Sequence, residues 1–238
     1  MIVDRTAFGL MFRGLVGGRR AVVLAVVALL PVIAAIARTM GDVDPDIYWA
    51  RLVQRLIIPV VVAFVAVVVG AGAVADERED GTILYLASTP LRRVTIIASA
   101  VAAAWATSLL IVVPSLLVSG FITLGGDVTA EAIGWPLVGV VVASLAYCAA
   151  GAWVAMVIRH PVVACVLYIL LWEGTFATWT DSAQYFSIAA YARAISLEGI
   201  PVVIAAEVGA ATAAIALAAL IVVAVAAAGR RLTRTELP

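Results

Sequence analysis

Between Arg93 and Asp127 the chain runs through residues 94–126 without a charged side chain, and further uncharged apolar stretches occupy 21–37, 56–75, 132–158, 161–172 and 208–229. No other feature limits the fold so strongly. A helix crosses a hydrocarbon core of about 30 Å with about 20 residues, so each run approximates one crossing, the fifth when it is extended through Glu173 to about Thr180. The runs lack the apolar–polar alternation of a barrel strand, and helices remain as the way to satisfy the backbone in lipid. The expected fold class is an all-α integral membrane protein with six transmembrane helices, at about 21–37, 56–75, 94–122, 133–158, 161–180 and 203–229. All of 1–238 reads as a single transmembrane domain, with no internal repeat or soluble domain.

Composition agrees and removes several chemistries. The chain is 65% hydrophobic, 13% charged and has a mean hydropathy of +1.17, well beyond an ordinary soluble domain. Net charge is zero, and nothing points to nucleic acid. All 15 basic residues are Arg, which fits the coding bias of a GC-rich bacterium. Without Lys there is no phosphate-loop lysine and no Schiff base, so the chain is not expected to be an ATPase or other enzyme by itself. His160 is the only His, which excludes a multi-His metal site, and no cofactor is expected on this chain. Cys148 and Cys165 lie in apolar runs and read as small buried hydrophobes.

Six crossings put both termini on one side of the membrane. The Arg distribution chooses the side: Arg5, Arg13, Arg19, Arg20, Arg78, Arg92, Arg93, Arg159, Arg230, Arg231 and Arg234 fall in one set of segments, against Arg38, Arg51, Arg55 and Arg193 in the other. Positive charge favours the cytosol, so both termini are expected there, with the protein in the bacterial cytoplasmic membrane. Asp4 and four arginines precede the first apolar run, unlike a cleaved signal peptide. Phe8, Met11, Phe12 and Leu15 follow i, i+3, i+4, i+7 spacing, which predicts an amphipathic interfacial helix over 1–20. A solvated tail is the alternative.

This topology makes residues 76–93 the longest cytosolic loop. Asp76, Glu77, Arg78, Glu79 and Asp80 are expected to end the second span, since five adjacent charges cannot enter hydrocarbon. Gly81 supplies a break, and Thr82 to Ser88 can form about two helical turns before Pro90 disfavours helix. Such a short helix, apolar on several sides, is unstable alone in water. A partner surface would stabilise it, while an ordinary solvated loop is the plainer reading.

"EREDGTILYLASTPLRR" resembles the segment of ABC-2 type transporter permeases in which a second span ends in acidic residues, then Gly-Thr, a Leu-rich turn, a Thr-Pro pair and an Arg. "YILLWEGTFATW" and "YFSIAAY" are similar to the fifth-span region of that family. The resemblance covers essentially the whole chain. It implies a permease subunit whose 76–93 loop is a coupling helix docked on a separate ATP-binding cassette subunit, which would hold ATP and Mg. The docking residues it implies are Glu77, Glu79, Asp80, Gly81, Thr82, Leu84, Leu86, Pro90 and Arg92, with Arg159 and His160 as a second contact. The implied assembly has two ATPase copies and a second permease chain, identical or homologous, in the lipid bilayer. As a bare residue, His160 reads first as part of a surface turn.

Two glutamates interrupt the later spans. Counted from Pro161, Glu173 lies about 18 Å along its helix, beyond the midplane and still in hydrocarbon. An embedded carboxylate is costly unless paired, protonated or facing water, which makes it a functional candidate. Glu207 falls near the outer interface and reads as structural. Residues 174–199 mix aromatics with Asp181 and Arg193; related permeases carry short re-entrant helices there, forming an outer lid. Trp172, Glu173, Trp179, Tyr185 and Tyr191 are therefore candidates for the translocation path or lid, with headgroup anchoring as the simpler role of the aromatics. Trp105 and Trp153 could also line a path, although Trp within a span is more often packing.

The leading expectation is an exporter permease for a hydrophobic or amphipathic small molecule such as a drug, natural product or lipid-like compound. The runs hold no cluster of embedded basic residues, which disfavours a highly anionic cargo. Two other classes are open: an ion-coupled secondary transporter using Glu173, and a six-span intramembrane protease. The protease would want a GxSG-like nucleophile, but the chain reads Leu117-Val118-Ser119-Gly120.

Overall fold

The computed structural model describes residues 9, 19–79, 93–125, 128–176, 186–198 and 209–234. Every regular element among them is helical. In chain order they are α1 (Arg19–Arg38), α2 (Pro45–Leu52), a π-helical segment Val53–Val62, α3 (Ala63–Glu79), α4 (Arg93–Leu124), α5 (Ala130–Val157), α6 (Pro161–Tyr168), a second π-helical segment Ile169–Phe176, α7 (Ile188–Ser196) and α8 (Ala210–Arg234). Most of the expected interfacial helix over 1–20, most of the 76–93 loop and residues 177–185 within 174–199 lie outside the described residues.

Helix boundaries follow local chemistry. Asp44 caps α2 by accepting hydrogen bonds from the Asp46 and Ile47 amides, with Pro45 in the first turn. Thr129 caps α5 through the Ala132 amide at 3.1 Å. Gly125 closes α4 at φ 64°, a left-handed conformation that Gly adopts without steric cost. Ile158 leaves α5 extended, and Pro161 opens α6 after the exposed turn Arg159-His160.

Four helices among the described residues are long and apolar enough to cross a membrane: Pro45–Asp76, Val94–Leu124, Ala130–Val157 and Ala210–Leu232. Val22–Arg38 and Pro161–Glu173 are shorter apolar helices. The second expected span, 56–75, is thus the later part of a much longer helix that begins at Pro45. Asp44 and Pro45 start a helix that no glycine or further charge cluster stops. Arg51 and Arg55 therefore lie on this helix rather than in a loop before it. At its other end the acidic residues continue the helix through Glu79, as helical peptide groups need no lipid to remain paired.

Pro45–Asp76 forms the centre, with 78% of its most apolar window buried; the same measure for Ala210–Leu232 is 17%, which puts α8 at the periphery. The continuous core includes Ile57, Val61, Val65, Val112, Leu116 and Tyr147. α3 packs most extensively on α5, α1 packs on α4, and α7 lies against α5, α8 and the first π-helical segment. On α1 the residues Leu24, Ala28, Pro31 and Ala35 are buried, whereas Val22, Val26, Leu29 and Ile33 face outward. That apolar exterior suits lipid, where outward Val and Leu incur no cost.

Close approach of the central helices depends on small residues. A Cβ at Gly70 would sit 2.6 Å from the Cys148 backbone, and one at Gly151 would sit 2.9 Å from the Ala71 nitrogen. The α3–α5 backbones therefore come into contact at a glycine on each helix, the small-residue packing typical of membrane bundles. Cys148 Sγ also lies 3.3 Å from the Ala66 carbonyl oxygen. Both cysteines are buried free thiols.

Polar side chains tie helix to helix by donating to backbone carbonyls. Ser115 bonds Ala28, Trp105 Nε1 bonds Val141 at 3.0 Å, and Trp49 Nε1 bonds Ala132 at 2.7 Å. At one end of the bundle Arg231 Nε donates to Met156 at 3.0 Å, and Gly229 packs against Val94. The C-terminal ends of α5 and α8 thus meet the start of α4. At the opposite end Arg38 donates to Thr123 at 2.7 Å and to Val43 through two nitrogens, binding the end of α1 to the end of α4.

Candidate functional site

Glu173 lies in the second π-helical segment, which continues α6. It is buried, yet its carboxylate has three donors. Ser187 Oγ donates to Oε2 at 3.2 Å, the Ile188 amide to Oε1 at 3.1 Å, and the Ala189 amide to Oε2 at 3.2 Å and Oε1 at 3.5 Å. The two amides are the first of α7, which lack acceptors within their own helix. Ser187 completes the cap by accepting from the Ala190 amide at 3.1 Å.

The arrangement compensates a buried carboxylate in two ways. Oriented N–H and O–H groups replace its hydration, and the positive end of a helix faces it. The consequence is mechanical: Glu173 fastens the α6 continuation to the start of α7. α7 in turn buries Ile188, Ala189, Ala192 and Ile195 against the bundle, and a Cβ at Gly139 of α5 would fall within 1.8 Å of Ser196 Oγ. Tyr168 Oη strengthens the same junction with a 3.2 Å hydrogen bond to the Phe186 carbonyl. The Tyr147 hydroxyl, buried within α5, is beside the Glu173 carboxylate. Arg193 Nε turns back on its own helix, donating to Ala189 at 3.3 Å.

The other candidates among the described residues are dispersed. Trp172 is half-buried next to Glu173 in sequence, and Tyr191 is half-buried against the core from α7. Trp179 and Tyr185 lie outside the described residues, as do Asp80, Gly81, Thr82, Leu84, Leu86, Pro90 and Arg92. Glu77 and Glu79 are on the last turn of α3. Arg159 and His160 occupy the exposed turn before α6, at the end of the bundle to which Arg231 is tied. Trp105 and its bond to Val141 pack α4 on α5, while Trp153 is exposed.

Sequence reasoning missed Ser187, Tyr147 and the helical placement of Arg51 and Arg55. Ser187 did carry a signal: a Ser immediately before an apolar-periodic run is a helix start. Tyr147 had none, since a phenol inside an apolar run looks like packing until its neighbour is known.

Ser119 and His160, the pair that a six-span protease would need, do not come together. Ser119 is buried, with its hydroxyl bonded to Leu116, and its neighbour Gly120 packs on Trp49 near the start of α5. His160 follows the end of α5, so the two are separated by the length of that helix. Among the described residues there is also no group of three or more His, Cys, Asp or Glu that could hold a metal.

Long apolar helices fastened by side chain to backbone bonds define a helical integral membrane protein. The chain belongs to the ABC-2 transporter family: the family described as "ABC-2 family transporter protein" matches residues 18–237. No curated protein matches the sequence. Family membership makes the chain the membrane permease of an ABC transporter, a class of transport component without an ATPase domain of its own.

Proposed function

We propose that the chain is the permease subunit of an exporter that moves a hydrophobic or amphipathic small molecule out of a bacterial cytosol. Val22–Arg38 and the α6 continuation join the four long helices to give six crossings, with both termini cytosolic. ATP is hydrolysed by a separate cassette subunit, two copies of which serve this chain and a second permease, identical or homologous. The 76–93 loop docks on that subunit, with Arg159-His160 as a neighbouring contact. Glu173 holds the fifth crossing to the outer lid, of which α7 is part.

The observation that carries this reading is the family match over nearly the whole chain. The geometry supports it: the acidic end of α3, the start of α4, the Arg159-His160 turn and the end of α8 share one end of the bundle, while Glu173 and α7 lie toward the other. An ATPase docked at the first end and a lid at the second suit a transporter that couples hydrolysis to outward release.

The test is Leu84→Asp in the full chain, co-expressed with a cassette ATPase that co-purifies with the parent. A charge placed in an apolar docking groove costs several kcal/mol, which the complex escapes by separating. The expected result is a normally inserted permease that no longer co-purifies with the ATPase. Retained co-purification with substrate-stimulated hydrolysis refutes docking at this loop. Transport that collapses with the proton gradient while ATP remains would instead favour an ion-coupled carrier using Glu173.

A further inference from the structure

Arg51 and Arg55 carry a charge density that the permease reading leaves unused. They lie one turn apart on the helix that runs from Pro45 to Asp76, in an outward stripe with Ile47 and Val60. The opposite side of that stretch is buried, including Trp49, Ala50, Val53, Ile57 and Ile58. Neither guanidinium has an ion-pair or hydrogen-bond partner among the described residues. Asp44 uses its carboxylate oxygen on the Asp46 and Ile47 amides. Asp46 is about 140° around the helix from Arg51 at 3.6 residues per turn.

Depth defines what such a pair can meet. From Asp76, where charge begins at the other end, Arg55 is 21 positions back, about 30 Å at a helical rise. That equals the hydrocarbon thickness, so Arg55 reaches the far boundary of the hydrocarbon and Arg51 lies about 6 Å farther out, among headgroups. Like charges at i, i+4 repel, and a guanidinium presents planar donors suited to phosphate oxygens. Below the pair, the stripe is apolar through Pro59 and Val60.

We infer that Arg51 and Arg55 form a site for the phosphate of an amphiphile, whose tail lies along the apolar stripe below. The phosphate belongs either to a bilayer lipid or to an exported molecule; the second case rests on the exporter reading, the first does not. Anionic headgroups are then acceptable cargo chemistry, although no basic cluster is embedded in the hydrocarbon: the cations are at its edge.

The test uses the full chain in phosphatidylcholine nanodiscs and needs no ATPase, so its failure is separate from failure of the exporter reading. One arm adds phosphatidylglycerol and measures its enrichment on the protein by native mass spectrometry. The other titrates dodecyl phosphate, with dodecyl maltoside as the uncharged control. R51Q/R55Q is expected to weaken binding at least tenfold, R51Q and R55Q singly to lose part, and R51K/R55K to retain a preference for phosphate. Since both side chains are exposed, the variants should keep the parent's thermal stability, and the single variants decide the matter if the double variant does not. Loss confined to phosphatidylglycerol assigns the site to bilayer lipid; loss of dodecyl phosphate binding assigns it to free amphiphiles. Unchanged binding in both arms overturns the inference.

Discussion

Replacing Glu173 with Ala removes the acceptor for Ser187 Oγ and for the Ile188 and Ala189 amides together. A buried donor left without a partner costs about 1–3 kcal/mol, and interaction with the helix N-terminus adds about 0.3–1 kcal/mol. Ser187 can turn to another acceptor, so two stranded amides dominate and local loss should be about 3 kcal/mol. At 1.4 kcal/mol per factor of ten, that is roughly a hundredfold fall in hydrogen-exchange protection at Ile188 and Ala189. Glu173→Gln keeps one carbonyl oxygen and should lose less than half as much. In reconstituted export, the Gln variant should be near normal and the Ala variant inactive, with impaired coupling to ATP hydrolysis. If both fail, and only for cationic compounds, Glu173 recognises charge in the cargo. Parent-like exchange at these amides together with parent-like export by Glu173→Ala would refute the fastening role altogether.

Gly70→Ala should destabilise the protein by about 1–3 kcal/mol, because the new methyl meets backbone that cannot rotate away. Gly134→Ala, with open space around it, should be neutral in the same detergent melting assay. For topology, single Cys probes at Thr82 and Thr235, with Cys148 and Cys165 replaced, should label only from the cytosol, and one at Asp44 only from outside; external labelling at Thr82 would remove the basis for the docking loop.

The sequence by itself determined the class of fold. Uncharged runs of membrane length leave the backbone no partner but its own helix, and this constraint is local, so it could be read without knowing what touches what. Glu173 was legible for a similar reason: a carboxylate in hydrocarbon must find compensation wherever the chain goes next. What compensates it was not legible. Ser187 and the two amides of α7 are fourteen to sixteen positions away, and their approach depends on how α7 packs against α5 and α8. The contact of Gly70 with Cys148 likewise pairs residues whose proximity no spacing rule supplies. Arg51 and Arg55 show the opposite limit. Charge alone placed them in a loop, whereas the Asp44 cap, the Pro45 start and burial of Trp49 and Ile57 hold them on the central helix. Periodicity and polarity fix where each segment can reside; only tertiary packing decides which polar groups meet there, since that depends on helix orientations summed over the whole bundle.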